Sequence, residues 1–338
     1  MSSLQKLSQS LLPIIEADLK DAIERHGLAG HPLYADILSY HMGWIDQGGK
    51  AASGSSGKRI RPLLCLLACQ SAMGDHQWAR PSATAVELIH NFSLLHDDIQ
   101  DESPLRRNRP TVWTIWGRAQ AINAGDVLFT LAHLALANHG DGASTGKLFP
   151  ILDEACLNLT QGQFLDMNFE SEKSVSVDDY LGMIQGKTAA LTRATAELGA
   201  ASAGVSAEKQ AGYREMGHNL GMAFQMIDDI LDIWGAPELT GKIEASDIHQ
   251  RKKSLPVLYA LNQSDELQNL YGSLSMFDTA TVKHVIGVLD RYQAREYTVS
   301  KAEAFTQKTL GALEEIGSQN EAGEALLELI NQLLKRDF

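Results

Sequence analysis

The amino-acid sequence predicts an all-α fold, with a long central helical bundle followed by a C-terminal helical part. Alanine and leucine dominate the chain, and alternating runs of β-branched residues are scarce. Apolar residues recur at helical spacing through most of the 338 residues. No fixed-period repeat interrupts this pattern. We therefore predict a single helical domain over residues 1–338.

The predicted helices follow one another through short connections. Gly27 is suited to ending the first helix, and Pro62 suits the first turn of the third. Ser176 and Asp179 have the spacing of a capping box at the start of a helix. Several amphipathic helices follow Leu255. The earlier predicted helices cover residues 3–26, 32–47, 63–73, 80–102, 117–138, 147–170, 176–203 and 207–234.

A stretch rich in glycine and serine occupies residues 48–57, between the second and third predicted helices. Such a composition is typical of a flexible segment. The stretch is either an interdomain linker or a loop at a ligand site. The basic residues that follow it, Lys58, Arg59 and Arg61, favour the second interpretation. We expect the loop to close over the site when substrates bind.

Charge and cysteine content limit the partners and the compartment. The net charge of -13 argues against a broad basic surface for nucleic acid. Three cysteines give no disulfide framework, which suits a reducing cytoplasm. Cys65 and Cys69 share a helix face, but no second ligand pair follows, so we expect core residues. The longest apolar stretch, Val127–Ala137, is shorter than the roughly 20 residues of a membrane span. We expect a cytoplasmic protein with no stable membrane insertion.

Two aspartate clusters carry the strongest functional signal. Each places three aspartates at positions i, i+1 and i+4 of a predicted helix. They are Asp97, Asp98 and Asp101, and Asp228, Asp229 and Asp232. Residues i and i+4 lie on one face about 6 Å apart along the axis, so their like charges destabilise the helix unless a cation neutralises them. Mg²⁺ takes oxygen ligands and bridges to phosphates. Finding this spacing twice favours a metal site over a solvated acidic face.

Basic residues accompany both clusters. Each basic patch alone is typical of a solvated surface, but arginine and lysine also match phosphate oxygens. Acidic and basic groups together indicate metal–diphosphate chemistry, which needs both signs around one ligand. The patches comprise Lys58 to Arg61, Arg106 to Arg109, Lys187, Lys242 and Arg251 to Lys253. The sequence motifs of nucleotide kinases, dehydrogenases and serine hydrolases are missing from the sequence.

These motifs resemble those of the trans-isoprenyl diphosphate synthases, which make farnesyl, geranylgeranyl and longer diphosphates. The resemblance runs from Gly57 to about Leu261. It implies an isoprenoid synthase-type helical bundle around a central active-site cavity. The matching segments are Gly57 to Pro62, both aspartate clusters, Arg106-Arg107, Ala124-Gly125-Asp126, Gly186-Lys187-Thr188, Phe224-Gln225 and Lys252 to Pro256. Arg251 and Ser254 depart from the Gly and Thr that are common in the family.

The resemblance implies three groups of site residues. Asp97, Asp101 and Asp228 would ligate Mg²⁺, with Asp232 as a further ligand and Asp98 in support. The allylic diphosphate would contact Arg106, Lys187, Lys242 and Lys252. Isopentenyl diphosphate would contact Lys58, Arg61, His90 and Arg107. Thr188 and Gln225 would turn their dipoles toward a developing carbocation. His90 lies two turns before Asp97 and therefore on the same helix face.

The implied reaction is an ionisation followed by condensation and elimination. Metal ions and cationic side chains stabilise the departing pyrophosphate, so the allylic C–O bond breaks. The double bond of isopentenyl diphosphate attacks the cation, and a proton is lost to the released pyrophosphate. No side-chain nucleophile is required, and water must be excluded from the cation.

Phe92 and Ser93 precede the first cluster by five and four residues, where the family sets product length. A large ring at Phe92 is expected to stop chain growth early. No residues are inserted between Asp98 and Asp101, unlike many bacterial farnesyl synthases. Both features resemble geranylgeranyl synthases, so we expect a C20 product, with C15 as the next choice.

Three other interpretations compete with the synthase. A class I terpene cyclase shares the metal chemistry but usually carries one cluster of this kind and lacks the isopentenyl site. A non-catalytic regulatory subunit would show decayed clusters, and both clusters here are intact. A purely structural bundle leaves the paired clusters unexplained. The family usually forms homodimers, so we expect one here.

Overall fold

The all-α prediction is confirmed by the structure, a computed structural model of the chain. The residues described are 1–26, 30–52, 57–73, 75–139, 142–172, 174–235, 245–273 and 277–335. The helices of the first half are α1 (Ser3–Glu24), α2 (Pro32–His41), α3 (Ile60–Met73), α4 (Arg80–Gln100), α5 (Val112–Trp116), α6 (Arg118–Ala137) and α7 (Gly142–Ser171). A short 3₁₀ turn (Gln77–Ala79) precedes α4, and two short strands, β1 (Leu105–Arg106) and β2 (Arg109–Pro110), follow it.

The helices of the second half begin with α8 (Val177–Ile184) and end with α16. A π-helical turn, Gln185–Ala189, joins α8 to α9. The remaining helices are α9 (Ala190–Ser202), α10 (Ala207–Trp234), α11 (Ser246–His249), α12 (Leu255–Leu261), α13 (Asp265–Ser273), α14 (Thr279–Arg291), α15 (Ala294–Ile316) and α16 (Glu321–Leu334). Among the described helices, none combines the length and apolar character needed to cross a bilayer.

The prediction that the second helix extends to residue 47 was wrong. Helix α2 ends at His41, and Gly43 follows with a positive φ of 82°. The carboxylate of Asp46 then accepts the backbone N–H groups of Gly48 and Lys50 at 2.8 and 2.9 Å. This side chain offers the backbone an alternative to helix, which is why the segment turns instead. Of the stretch 48–57, residues 53–56 lie outside the described residues, so closure of the loop stays a prediction.

The predicted helix over 176–203 is divided by the π-helical turn. Its start was predicted correctly. Ser176 Oγ accepts the N–H of Asp179, and the Asp179 carboxylate accepts the N–H of Ser176, each at 3.0 Å. π-Helical turns widen a helix by one residue and are frequent at functional sites. This one contains Lys187 and Thr188, two of the predicted substrate contacts.

The strands β1 and β2 form a two-residue hairpin that the sequence did not predict. Arg106 pairs with Arg109, and the two residues between them, Arg107 and Asn108, have φ of 52° and 59°. Two positive φ angles are the mark of a type I′ turn. Asn108 favours that geometry, whereas Arg107 does not. The hairpin brings the three arginines of this segment to one place.

The described chain divides into two compact units. The first comprises Met1–Glu154, Ala194–Arg214 and Ile316–Leu329, and the second comprises Ala155–Arg193, Glu215–Glu315 and Ile330–Phe338. In the first unit, α4 packs against α1, α3 and α6 and is buried along most of its length. In the second unit, α12 packs against α8, α13 and α14. The prediction of a single domain stays a prediction.

Candidate functional site

The first aspartate cluster lies at the carboxyl end of α4. Asp97 and Asp101 are half-buried, whereas Asp98 is only 2% exposed. One oxygen of Asp98 accepts both Nε and Nη2 of Arg106, each at 2.8 Å. Burial raises the pKa of Asp98 to about 6, while the Arg106 guanidinium opposes that rise. The structure thus brings Asp98 and Arg106 together as a partly buried ion pair.

Polar contacts fix the hairpin that carries Arg106 and Arg107. Thr111 Oγ1 and Trp113 Nε1 both donate to the carbonyl oxygen of Ser103 at 2.9 Å. Tyr40 donates its hydroxyl to the Pro110 carbonyl at 2.7 Å. The Arg109 guanidinium lies 4.1 Å from the centre of the Tyr40 ring. These contacts hold the arginines without using the Arg107 side chain.

Three of the four residues predicted to hold isopentenyl diphosphate gather in the first unit. Arg61 Nη1 donates to His90 Nε2 at 3.3 Å. Burial and the charges of Arg61 and Arg107 hold the pKa of His90 well below its ordinary value, so the ring is neutral. Arg107 lies against Gly57, where a Cβ would be 2.7 to 2.8 Å from its guanidinium. Lys58, the fourth residue, is exposed.

A residue that the sequence analysis left without a role anchors this basic segment. Arg59 is 4% exposed and has a positive φ of 46°. It donates to Glu16 at 2.6 Å, to Glu87 at 2.9 Å and to the Met42 carbonyl at 3.0 Å. Its side chain therefore points into the protein while its neighbour Lys58 is exposed. The basic residues from Lys58 to Arg61 stood out in the sequence. The inward direction of Arg59 could not be predicted, because Glu16 and Glu87 are distant in sequence.

The second aspartate cluster lies near the carboxyl end of α10. Asp228 is half-buried, and Asp229 and Asp232 are 3% and 5% exposed. Asp229 accepts the Tyr180 hydroxyl, the Leu255 N–H at 3.0 Å and Gln225 Nε2 at 3.1 Å. Burial raises the pKa of Asp229 to about 7, although the hydrogen bonds from Tyr180 and Leu255 favour the carboxylate. The sequence resemblance implied no separate role for Asp229 or Tyr180.

Asp232 caps the short helix α11. Its two oxygens accept Ser246 Oγ at 2.6 Å and the Asp247 N–H at 2.9 Å. Such contacts satisfy backbone donors at a helix start. Its role as a metal ligand stays a prediction.

A cleft in the second unit gathers the predicted allylic contacts of that unit. It is lined by Asp166, Tyr180, Met183, Ile184, Lys187, Thr188, Gln225, Asp229, Asp247, Lys252, Lys253 and Ser254. Lys187 Nζ donates to the Asp166 carboxylate. Thr188 Oγ1 donates to Gln225 Oε1 at 2.7 Å. Asp166 and Asp247 were not predicted from the sequence, because neither lies in an aspartate cluster. Lys242, another predicted contact, lies outside the described residues.

Arg251, where the resemblance leads us to expect glycine, has a backbone conformation that suits glycine. Arg251 has a positive φ of 59°, a conformation that favours glycine. Its guanidinium donates to the Tyr271 carbonyl and lies 5.8 Å from the centre of the Phe277 ring. The N–H of Lys252 donates to the Asp247 carbonyl at 2.8 Å. The side-chain contacts of Arg251 offset the strain and hold the turn that precedes Lys252.

Phe92 and Ser93 lie on α4, before the first cluster. The Phe92 ring packs edge-to-face on Phe129 at 5.2 Å between centroids and on His96 at 4.8 Å. Phe129 in turn packs on His133, whose Nε2 lies 2.8 Å from the Asp153 carboxylate. Ser93 is buried, and its hydroxyl donates to the His90 carbonyl at 2.8 Å. Phe92 thus belongs to an aromatic group between α4 and α6.

The donors of the clusters fit Mg²⁺ better than a soft metal. All are carboxylate oxygens, and Asp97, Asp101 and Asp228 are half-buried. Within the described residues, no three histidine, cysteine or acidic side chains converge closely enough to hold a metal alone. Mg²⁺ does not need such a cage, because it is usually bound by one or two carboxylates, waters and substrate phosphates.

Comparisons with known proteins agree with this chemistry. A sequence model of the polyprenyl synthetase family matches residues 43–289. A (2E,6E)-farnesyl diphosphate synthase of Mycobacterium tuberculosis is 44% identical over 230 residues, which are 68% of this chain but only 64% of that protein. A geranylgeranyl diphosphate synthase of the same organism is 42% identical over 77% of this chain and 74% of its own. The crystal structure of a polyprenyl synthetase from Streptomyces coelicolor covers 98% of both chains, with a TM-score of 0.89 and 33% identity.

Proposed function

Because the chain belongs to the polyprenyl synthetase family, we propose that it condenses isopentenyl diphosphate with allylic diphosphates of C5 to C15 to give a short all-trans prenyl diphosphate. The observation that carries this proposal is that the structure gathers two separate groups of cations, Arg61 and Arg107 near His90 in the first unit and Lys187 and Lys252 in the cleft of the second. Two diphosphates must be bound in such a reaction, and each needs positive charge. A terpene cyclase would need to bind only one diphosphate.

The basic segment of the first unit is assigned to isopentenyl diphosphate. Arg61, Arg107 and Lys58 supply charge and N–H donors for the phosphate oxygens. The neutral His90 ring, held by Arg61, orients that guanidinium. Arg59 keeps the segment in place from inside the protein. No group in this set needs to transfer a proton.

The cleft of the second unit is assigned to the allylic diphosphate, and the contact of Arg106 with that substrate stays a prediction. Asp97 and Asp101 in the first unit, and Asp228 in the second, would each be ligands of Mg²⁺, which would neutralise the leaving group as a Lewis acid. Lys187 exchanges Asp166 for a phosphate oxygen. Thr188 and Gln225 present oxygen dipoles to the allylic carbon as it gains positive charge. The C–O bond breaks, the C=C bond of isopentenyl diphosphate attacks, and the proton lost from the new chain leaves with pyrophosphate.

We assign C20 as the main product, with C15 next. The Phe92 ring, backed by Phe129, forms the floor that stops chain growth. Curated relatives include both farnesyl and geranylgeranyl synthases, so the family alone does not choose between these lengths.

A homodimer is the proposed assembly. Leu157, Phe164 and Met167 are 65%, 62% and 42% exposed, and their spacing places them on one side of α7. An exposed apolar stripe of this kind marks a protein contact. Analytical ultracentrifugation should show a dimer that the double variant Leu157→Glu/Phe164→Glu converts to monomer. A monomeric wild-type protein would contradict the assembly. The buried thiols of Cys65, Cys69 and Cys156 suit the cytoplasm as its location.

Steady-state kinetics with two variants tests the assignment of substrates. Arg61→Gln should raise the KM for isopentenyl diphosphate about tenfold or more, with a small change for the allylic partner. Lys187→Gln should instead raise the KM for the allylic substrate, with a small change for isopentenyl diphosphate. Equal effects of both variants on both substrates would contradict the division of the two sites.

A further inference from the structure

In both aspartate clusters the first and second aspartates differ in burial, which the spacing of the aspartates does not predict. In each cluster the first aspartate, Asp97 or Asp228, is half-buried. The second, Asp98 or Asp229, is nearly inaccessible at 2% or 3%. A carboxylate this deeply buried must be satisfied by partners within the protein. Those partners differ between the clusters, but in both clusters they lie on or beside segments that carry predicted substrate contacts.

The partners of Asp229 come from three segments that carry predicted substrate contacts. Tyr180 lies on α8, which leads into the π-helical turn of Lys187 and Thr188. Leu255 begins α12, directly after Lys252 to Ser254. Gln225 lies one turn before Asp229 on α10. One carboxylate therefore ties together the segments that line the cleft.

The contact with Gln225 also fixes the direction of its amide. Asp229 Oδ1 accepts Gln225 Nε2 at 3.1 Å, so the amide nitrogen faces Asp229 and the oxygen accepts from Thr188 at 2.7 Å. A flipped amide would place its NH₂ group against the Thr188 hydroxyl. The negative end of the amide dipole would then no longer lie beside Thr188. The orientation needs an acceptor at Asp229, which an ionised carboxylate supplies.

The first cluster shows the same arrangement with different partners. Asp98 accepts Nε and Nη2 of Arg106, the first arginine of the hairpin. Its backbone oxygen accepts the N–H of Ser103 at 3.0 Å, which turns the chain toward that hairpin. Two separate clusters thus use the second aspartate in one way.

We propose that Asp98 and Asp229 are positioning residues, which hold the diphosphate-binding segments in place and do not themselves bind metal, whereas Asp97 and Asp228 keep the ligand role that the family resemblance implies. This inference deepens the proposed function and rests on it. It also assigns a role to Tyr180, whose hydroxyl holds the Asp229 carboxylate. Replacing such supporting groups typically costs about 10- to 100-fold in affinity or activity.

Calorimetric titration with inorganic pyrophosphate, over a series of Mg²⁺ concentrations, separates the two roles. Asp97→Asn and Asp228→Asn should weaken pyrophosphate binding in a way that more Mg²⁺ restores. Asp98→Asn and Asp229→Asn should weaken it by about 10- to 100-fold at every Mg²⁺ concentration, because the fault lies in the side-chain contacts. Asp178→Asn, an exposed aspartate on α8, is the matched control and should bind like wild type.

Recovery of the Asp98→Asn and Asp229→Asn variants at high Mg²⁺ would overturn the inference. If Asp229→Asn does not fold, Tyr180→Phe tests the positioning role of Asp229 instead. It removes one hydrogen-bond donor to Asp229 and leaves the carboxylate in place. That variant should show a smaller loss, also insensitive to Mg²⁺, and wild-type binding would count against the role. Pyrophosphate binding does not depend on turnover. A wild-type protein that binds it without condensing substrates would therefore refute the proposed function and leave this inference standing.

Discussion

Gly162 sets the distance between α7 and the π-helical turn, and its replacement by alanine tests how that turn is built. A Cβ at Gly162 would lie 2.7 Å from the carbonyl carbon of Gly186 and from Cα of Lys187. Ordinary van der Waals contact begins at 3.4 Å, and the backbone nitrogen of Lys187 would lie closer than these two atoms, so the two backbones must separate by well over about 0.7 Å. The neighbouring atoms are backbone, which cannot turn aside as a flexible side chain can.

The Gly162→Ala variant should therefore lose both stability and activity. Overpacking of this kind costs about 1 to 3 kcal/mol, partly offset by about 1 kcal/mol from the better helix propensity of alanine. The turn that must move carries Lys187 and Thr188. A displacement near 1 Å at a substrate-positioning group can cost about 100-fold in rate. We expect kcat/KM for the allylic substrate to fall between about tenfold and 100-fold, with a smaller change in KM for isopentenyl diphosphate.

Gly182→Ala is the matched control for this variant. Gly182 lies on α8 of the same unit, and a Cβ there meets nothing within 4 Å. It should be as stable as wild type or slightly more so, with unchanged kinetics. A Gly162→Ala enzyme with wild-type kcat/KM and wild-type thermal stability would refute the close approach on which this reasoning depends.

Three further outcomes are expected. Phe92→Ala should lengthen the product beyond C20, read by mass spectrometry after dephosphorylation, and an unchanged length would place the floor elsewhere. Arg59→Leu leaves Glu16 and Glu87 as unpaired charges, so urea unfolding should show a loss of about 3 to 5 kcal/mol, and a loss below about 1 kcal/mol would contradict the buried triad. Burial, with Arg106 and Arg107, lowers the pKa of His41 to about 3, so its contribution to stability is complete above about pH 6.5 and is lost as the pH falls toward 3. His41→Gln keeps a donor to the Asn91 carbonyl and should make the free energy of unfolding less dependent on pH between about 6.5 and 5. The difference should be less than about 2 kcal/mol, because the ring is partly exposed. A pH profile like that of wild type would contradict this expectation.

Local sequence patterns predicted those parts of the fold that depend on near neighbours. Helix α10 has the predicted bounds, and the Ser176–Asp179 capping box forms as expected. Apolar periodicity and cap residues act within a few positions, so they can be interpreted without tertiary context. The i, i+4 spacing likewise identified both aspartate clusters.

The missed features depend on contacts between residues far apart in the chain. Tyr180 and Asp229 are 49 residues apart, and Arg59 lies 28 residues from Glu87. The π-helical turn also escaped prediction, because Lys187 is typical of an α-helix interior. It forms in contact with Gly162, at a helix approach that no local pattern encodes.

One signal for the buried second aspartate was present in the sequence. Asn91, Leu95 and Asp98 follow the i, i+4, i+7 spacing of one helix face, and all three are buried. The spacing of the aspartates alone shows only which of them share a helix face. Including these neighbours places Asp98 on the buried side of α4, away from the half-buried Asp97.

The most direct test of the central proposal is a product assay with the purified protein. Isopentenyl diphosphate, Mg²⁺ and each allylic starter from C5 to C15 are incubated with the enzyme, and the dephosphorylated products are identified by mass spectrometry. We expect a linear C20 alcohol, with consumption of isopentenyl diphosphate, and no product when the metal is chelated. A cyclic hydrocarbon formed without isopentenyl diphosphate, or no turnover of any starter, would contradict it.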